Sequence, residues 1–209
     1  MRQIFRGILL VSSLVSVTSR NVFLKLSKHV GGAVGGESFV DQPELTVIDE
    51  QRSTLTGFSN AQVFVKLASR HEGVRLRKQG VEDETIKVFS CPVVHGVAVF
   101  EELYIEKAGH DYKLQFLLVD SISGWSLDKT YSNVFDVVVG SPYRISVVKQ
   151  PCEAFGGSPF GVQPIVGVYD RGQNLVDNFR RGKVSSHDVF NVLRVIELTK
   201  LRSHRLLFD

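Results

Sequence analysis

Two cysteines, one methionine and one tryptophan are all that this 209-residue chain holds of those types. So few cysteines exclude a disulfide-dense mini-scaffold. No stretch reaches the roughly 20 apolar residues that a helix needs to cross a bilayer, so no stable membrane span is expected in the mature chain. Charge is nearly balanced at a formal +3. Outside the short 68–80 loop and the C-terminal tail the basic residues are scattered, which argues against a nucleic-acid partner. No Asn-x-Ser/Thr acceptor occurs, so N-glycosylation is not expected.

Recognisable catalytic equipment is lacking as well. His29, His71, His95, His110, His187 and His204 stand in no metal-ligand spacing with one another, with cysteine or with clustered carboxylates. Cys91 and His95 are four positions apart, about 13 Å on an extended strand, too far for a thiol–imidazole dyad. The serine-rich runs lack a nucleophile elbow. The Gly-Gly pairs precede strands rather than helices, so no helix N-terminus is there to hold a phosphate. Asp49 and Asp170 end strands at matching places. Such isolated carboxylates fall short of the six to eight oxygens of a calcium site, and turn capping is their expected role. The chain is therefore expected not to be an enzyme and to use no metal or cofactor.

What is present begins with an N-terminal secretory signal. Arg2 and Arg6 form a positive start, residues 7–17 an apolar core, and Val17-Thr18-Ser19 a small-residue cleavage site after Ser19. The expected localisation is secreted or extracellular, with cell-surface association as a variant. In that oxidising compartment Cys91 and Cys152 are candidates for a disulfide. The alternative is two free thiols acting as small hydrophobes, because pairing depends on geometry.

Beyond the signal, period-two alternation dominates the chain. Phe23-Leu24-Lys25-Leu26-Ser27-Lys28, residues 44–48, 63–67, 86–89, 96–100, 103–105, 112–119, 134–139 and 143–147 all read as short strands between turn signals. The strand at 134–139 is the expected partner of the one at 112–119. Abundant valine and fourteen phenylalanines agree with a strand-rich fold. Parallel strands would need crossovers of a dozen residues or more, and no helical segment supplies them. The expected fold class is all-β, an antiparallel β-sandwich. Leu45, Val47, Val63, Val65, Val97, Val99, Leu114, Phe116 and Leu118 belong to its expected inward face.

One stretch occurs twice. Gly35-Gly36, Phe39, Gln42-Pro43, Val47 and Asp49 return 121 residues later as Gly156-Gly157, Phe160, Gln163-Pro164, Val168 and Asp170. The resulting division is a signal peptide at 1–19, one complete repeat at 22–140, a truncated second repeat at 143–183, and a divergent basic tail at 184–209. The tail carries Val189, Val192, Leu193 and Ile196 at helical spacing, so it is read as helical or as a non-native end.

Four segments in order carry a family resemblance. They are the Gly35-Gly36 to Asp49 stretch, residues 96–105, residues 107–114 and residues 135–140. Together they resemble the signature of tandem Ig-like repeats in secreted and cell-surface proteins, similar to bacterial Ig-like (Big, invasin-type) domains. The chain departs from the family's pattern in its long excursion at 68–84, whose 68–80 part is basic, and in the second copy, which stops halfway. Its cysteines are also not placed as an inter-sheet pair beside a core tryptophan. The resemblance implies a non-catalytic extracellular structural or adhesion module, the N-terminal part of a repeat array acting as a spacer or interaction domain. Its partner would be an extracellular protein or glycan. The alternative is a secreted binding module that uses the basic 68–80 loop for carbohydrate, protein or an anionic surface. Its candidate binding residues are Arg70, Arg75, Arg77 and Lys78.

Overall fold

The computed structural model describes residues 21–69, 71–153 and 155–177. The expected signal segment at 1–19, the expected tail at 184–209, the last positions of the expected partial repeat (178–183) and Arg70 lie outside the described residues. Thirteen strands and no helix make up the described chain, so the fold is all-β.

A three-stranded sheet is formed by β1 (Phe23–Lys28), β2 (Glu44–Ile48) and β6 (Val97–Val99), with β2 in the middle. A four-stranded sheet contains β3 (Ala61–Leu67), β5 (Val88–Pro92), β9 (Leu114–Asp120) and β10 (Ser126–Tyr131), in the order β10-β9-β3-β5. Every pairing in both is antiparallel. Two short ladders complete this body. β4 (Leu76–Lys78) pairs with β7 (Leu103–Ile105), and β8 (Gly109–Tyr112) pairs with β11 (Phe135–Val137).

The alternation of β2, β3 and β9 turns Leu45, Val47, Val63, Val65, Leu114, Phe116 and Leu118 inward, where all are fully buried. They belong to one core cluster with Leu24, Ala98, Leu103 and Ile105, so the two sheets share an interior, as in a β-sandwich. Phe100 and Phe116 meet across it with ring centroids 5.9 Å apart. Tyr112, also buried, donates its hydroxyl to the Lys107 carbonyl at 3.0 Å. That bond satisfies the one polar atom the ring takes inside.

β6 corrects the expected pattern. Ala98 and Phe100 are buried, whereas Val99 is 49% exposed. The ladder sets Ala98 opposite Leu45 and Val99 opposite Glu44, and directly opposed residues share a face. Leu45 points inward, so Ala98 must follow it.

A second correction concerns the partner of β9. It is β10 that pairs with β9, and not the strand at 134–139, whose β11 pairs with β8 instead. The break between the two ladders falls at buried Ser132. Its Oγ accepts from Leu114 N at 2.9 Å and donates to the Asn133 carbonyl at 2.7 Å.

After Gly140 the chain forms a separate hairpin of β12 (Arg144–Lys149) and β13 (Ile165–Tyr169). Both strands stand 121 residues after β1 and β2 at each end (Phe23 to Arg144, Ile48 to Tyr169). Their registers correspond, with Leu24 opposite Val47 and Ile145 opposite Val168, and each ladder slips at the equivalent place. The bridge of Gly31 to Asp41 has its counterpart in Cys152 to Val162. Gln42 Nε2 donates to the Phe39 carbonyl at 3.1 Å, and Gln163 Nε2 donates to the Phe160 carbonyl at 2.8 Å. Gly36 and Gly157 take positive φ angles of 74° and 79°, a conformation that costs glycine nothing.

Candidate functional site

The most elaborate polar cluster lies where the hairpin meets the N-terminal body. β13 ends in Asp170-Arg171-Gly172-Gln173-Asn174, a tight turn closed by its own aspartate. Asp170 N donates to the Asn174 carbonyl at 3.0 Å, and Asp170 Oδ1 accepts from Asn174 N at 2.8 Å. The turn requires φ of 61° at Gln173. The equivalent turn after β2 is built in the same way. Ser53 N donates to Asp49 Oδ1 at 2.8 Å, and Arg52 has φ of 64°. Both aspartates therefore cap turns, as their position at strand ends suggests.

The second turn also reaches across to the body. Asp170 is 1% exposed, and its Oδ2 accepts from Gly140 N at 2.8 Å. Asn174 Nδ2 donates to the Glu106 carbonyl at 2.8 Å, and its Oδ1 accepts from Ala108 N at 3.0 Å. Lys107 Nζ donates to the carbonyls of Gly172 and Gln173, both at 3.3 Å. Two glycine surfaces allow this approach. A Cβ on Gly36 would collide with the backbone of Gly172, and one on Gly172 would land on the Glu106 carbonyl. The Gly-Gly of the body is thus one wall of a socket, and the Asp170–Asn174 turn is the plug. Nothing in the sequence flagged residues 106–108 or Gly140 as its partners, because backbone amides and carbonyls carry no sequence signal.

The basic residues of the 68–80 segment fare differently from one another. Arg77, on β4, is 9% exposed. Its Nη2 lies 3.6 Å from Glu84 and its Nε 3.4 Å from Glu106. The Nε contact is off the hydrogen-bond direction, so it is ionic in character. Arg75 is half-buried and donates through Nη1 to the Glu84 carbonyl at 2.6 Å. Lys78 is half-buried on β4 opposite Leu103. The structure brings Arg75 and Arg77 together around Glu84.

Cys91 and Cys152 are not bridged. Cys91 is half-buried on β5, where loss of solvation pushes its thiol up to about 11 against a smaller opposing pull from Lys78. Cys152 is exposed. Among the described residues no group of three or more His, Cys, Asp or Glu is arranged to hold a metal ion. No described helix is long and apolar enough to cross a membrane.

His110 and Asp136 form an exposed pair between β8 and β11, with Nδ1 and Oδ2 2.9 Å apart. The Asp136 hydrogen bond raises the His110 pKa above its ordinary 6.5, and the His110 bond lowers that of Asp136 below 3.8.

The class defined by these features is an all-β, antiparallel protein with a plugged joint between its body and the β12–β13 hairpin. No protein-family model matches the chain, and no curated protein matches it.

Proposed function

We propose that this chain is a non-catalytic extracellular structural or adhesion module, the N-terminal part of a tandem array of Ig-like sandwiches. The plugged joint is the observation that carries this reading. A spacer must transmit orientation from one unit to the next, and flexible junctions do not. Here Asp170 and Asn174 bind the backbone at Gly140, Glu106 and Ala108 with little room to pivot. The 121-residue offset shared by strands, bridges and turns supports a repeat as the unit of the array (Phe23 to Arg144). The strand order supports the Ig-like class, since β1-β2-β6 facing β10-β9-β3-β5 is the seven-strand, two-sheet plan of such sandwiches. Secretion through residues 1–19 would place the module outside the cell.

Small-angle scattering on the secreted chain tests the proposal. A rigid joint predicts one extended conformation whose maximum dimension stays constant with salt and temperature below unfolding. The combined Gly36→Val and Gly172→Val variant should broaden the distribution. A wild-type profile already showing a freely hinged pair would remove the spacer reading.

A further inference from the structure

We propose that the outer face of the β10-β9-β3-β5 sheet is a docking groove for an acidic segment of a partner protein, one that places an apolar side chain between carboxylates. This goes beyond the spacer reading and does not depend on it.

The groove arises from the ladder. Phe64 lies opposite Leu117, Gln62 opposite Val119, and Lys66 opposite both Gln115 and Val88. Opposed residues share a face, and these alternate with the buried Val63, Val65, Phe116 and Leu118. The outward set therefore includes an apolar band of Phe64, Leu117, Val119 and Val88, which lines a cavity of about 350 Å³. An outward sheet face is expected to be polar, so a concave apolar band on it is a surface suited to a partner's apolar side chain.

Charge decides which partner. A second groove of about 500 Å³ joins the first through Lys66 and Val88, and Arg75 and Lys87 line it as well. Lys129 continues the rim on the far side, opposite Leu117. Lys66, Lys87 and Lys129 are exposed, and none has a carboxylate within 4 Å among the described residues. Among those residues no acidic side chain lines either groove. Cations around an apolar floor favour carboxylates flanking an apolar anchor, because each like-charged alternative is repelled. A neutral glycan would find mostly CH groups where it needs hydrogen-bonding partners. A membrane-binding face would push its apolar side chains outward, whereas Phe64, Leu117 and Val119 are half-buried in a concavity and Val88 at its edge is the one member of the band that is exposed.

The test is fluorescence anisotropy of the whole secreted chain with a labelled synthetic peptide in which Phe and Leu alternate with Glu. The acidic peptide should bind, and its affinity should fall by about tenfold or more from low to high salt. The counterpart with Lys for Glu should not bind. The Lys66→Glu, Lys87→Glu double variant should weaken binding by about tenfold or more, as should Phe64→Ser. Lys25→Glu, on the other sheet, should leave binding unchanged. Lys66 and Lys87 are exposed, so their variant keeps the fold even if Phe64→Ser does not. Absent binding, binding indifferent to Lys66 and Lys87, or tighter capture by phosphatidylserine vesicles than by the peptide would each overturn the proposal. The last result would assign the face to a lipid surface.

Discussion

Gly172 has no room for a side chain, because the Glu106 carbonyl occupies the space a Cβ would take. Gly172→Ala should therefore lift the plug from its socket, exposing Asp170 and freeing the amides of Gly140 and Ala108. Losing such partly buried bonds costs about 0.5–1.5 kcal/mol, more where the acceptor is the Asp170 carboxylate, so both amides should exchange with solvent several-fold faster or more. Unchanged protection by NMR would show that the turn is not held by this contact. His110 and Asp136 offer a second test at the scale of single groups. The raised His110 pKa contributes stability that is fully present below 6.5 and is lost as pH rises through the folded value. The lowered Asp136 pKa contributes stability present above 3.8 and lost as pH falls through its folded value. The pair therefore contributes most between about 3.8 and 6.5. Thermal melts should separate wild type from Asp136→Asn most widely in that window and least near pH 8. A separation independent of pH would contradict the pairing.

Strands long enough to alternate were legible in the sequence. β1, β2 and β7 run as their residues indicate, and the core face of β2, β3 and β9 follows from period two. β4 was hidden because Leu76, Arg77 and Lys78 sit inside a basic run and only Leu76 is apolar, whereas β7 carries Leu103 and Ile105 two apart. β10 was hidden because the row of Ser126, Asp128 and Thr130 is wholly polar and the other row, Leu127, Lys129 and Tyr131, has a lysine at its centre. It is a sheet edge with little to bury. On β6 the apolar residues are continuous from Val97 to Phe100, so alternation could not choose a face. Only pairing with β2 does so, and that has a measurable consequence. Ala98→Val should overpack a fully buried site and cost about 1–3 kcal/mol in denaturant unfolding. Val99→Thr, on the exposed face, should stay within about 0.5 kcal/mol. The reverse order would mean that β6 is flipped.

At the scale of the molecule, equivalent residues meet unequal surroundings. Phe39 and Phe160 occupy the same place in the two Gly-Gly stretches, yet Phe39 is 3% exposed and Phe160 is 43% exposed. Phe39 packs edge-on against Phe135 at 5.7 Å, a partner supplied by β11 far along the chain. Phe39→Ala should cost about 3–5 kcal/mol, as large-to-small changes in cores do. Phe160→Ala should cost under about 1 kcal/mol. Equal losses in chemical denaturation would indicate that the second hairpin sits in a complete core of its own. The same asymmetry bears on the joint. The turn after β2 carries Gln51 and Ser53 where the plug has Gly172 and Asn174. It lacks both the bare backbone and the amide side chain that engage the socket.

By itself the sequence determined the all-β class, most of the buried face and the 121-residue offset (Gly35 to Gly156). Each of these is written in side-chain spacing and turn residues, which are local properties of a chain. The tertiary structure decided the rest: the partner of β9, the inward side of β6, the carboxylates facing Arg77, and the docking of Asp170 and Asn174 on Gly140, Glu106 and Ala108. Those features depend on backbone groups and on residues distant in sequence meeting in space. A backbone amide reads the same at every position until the fold brings an acceptor to it.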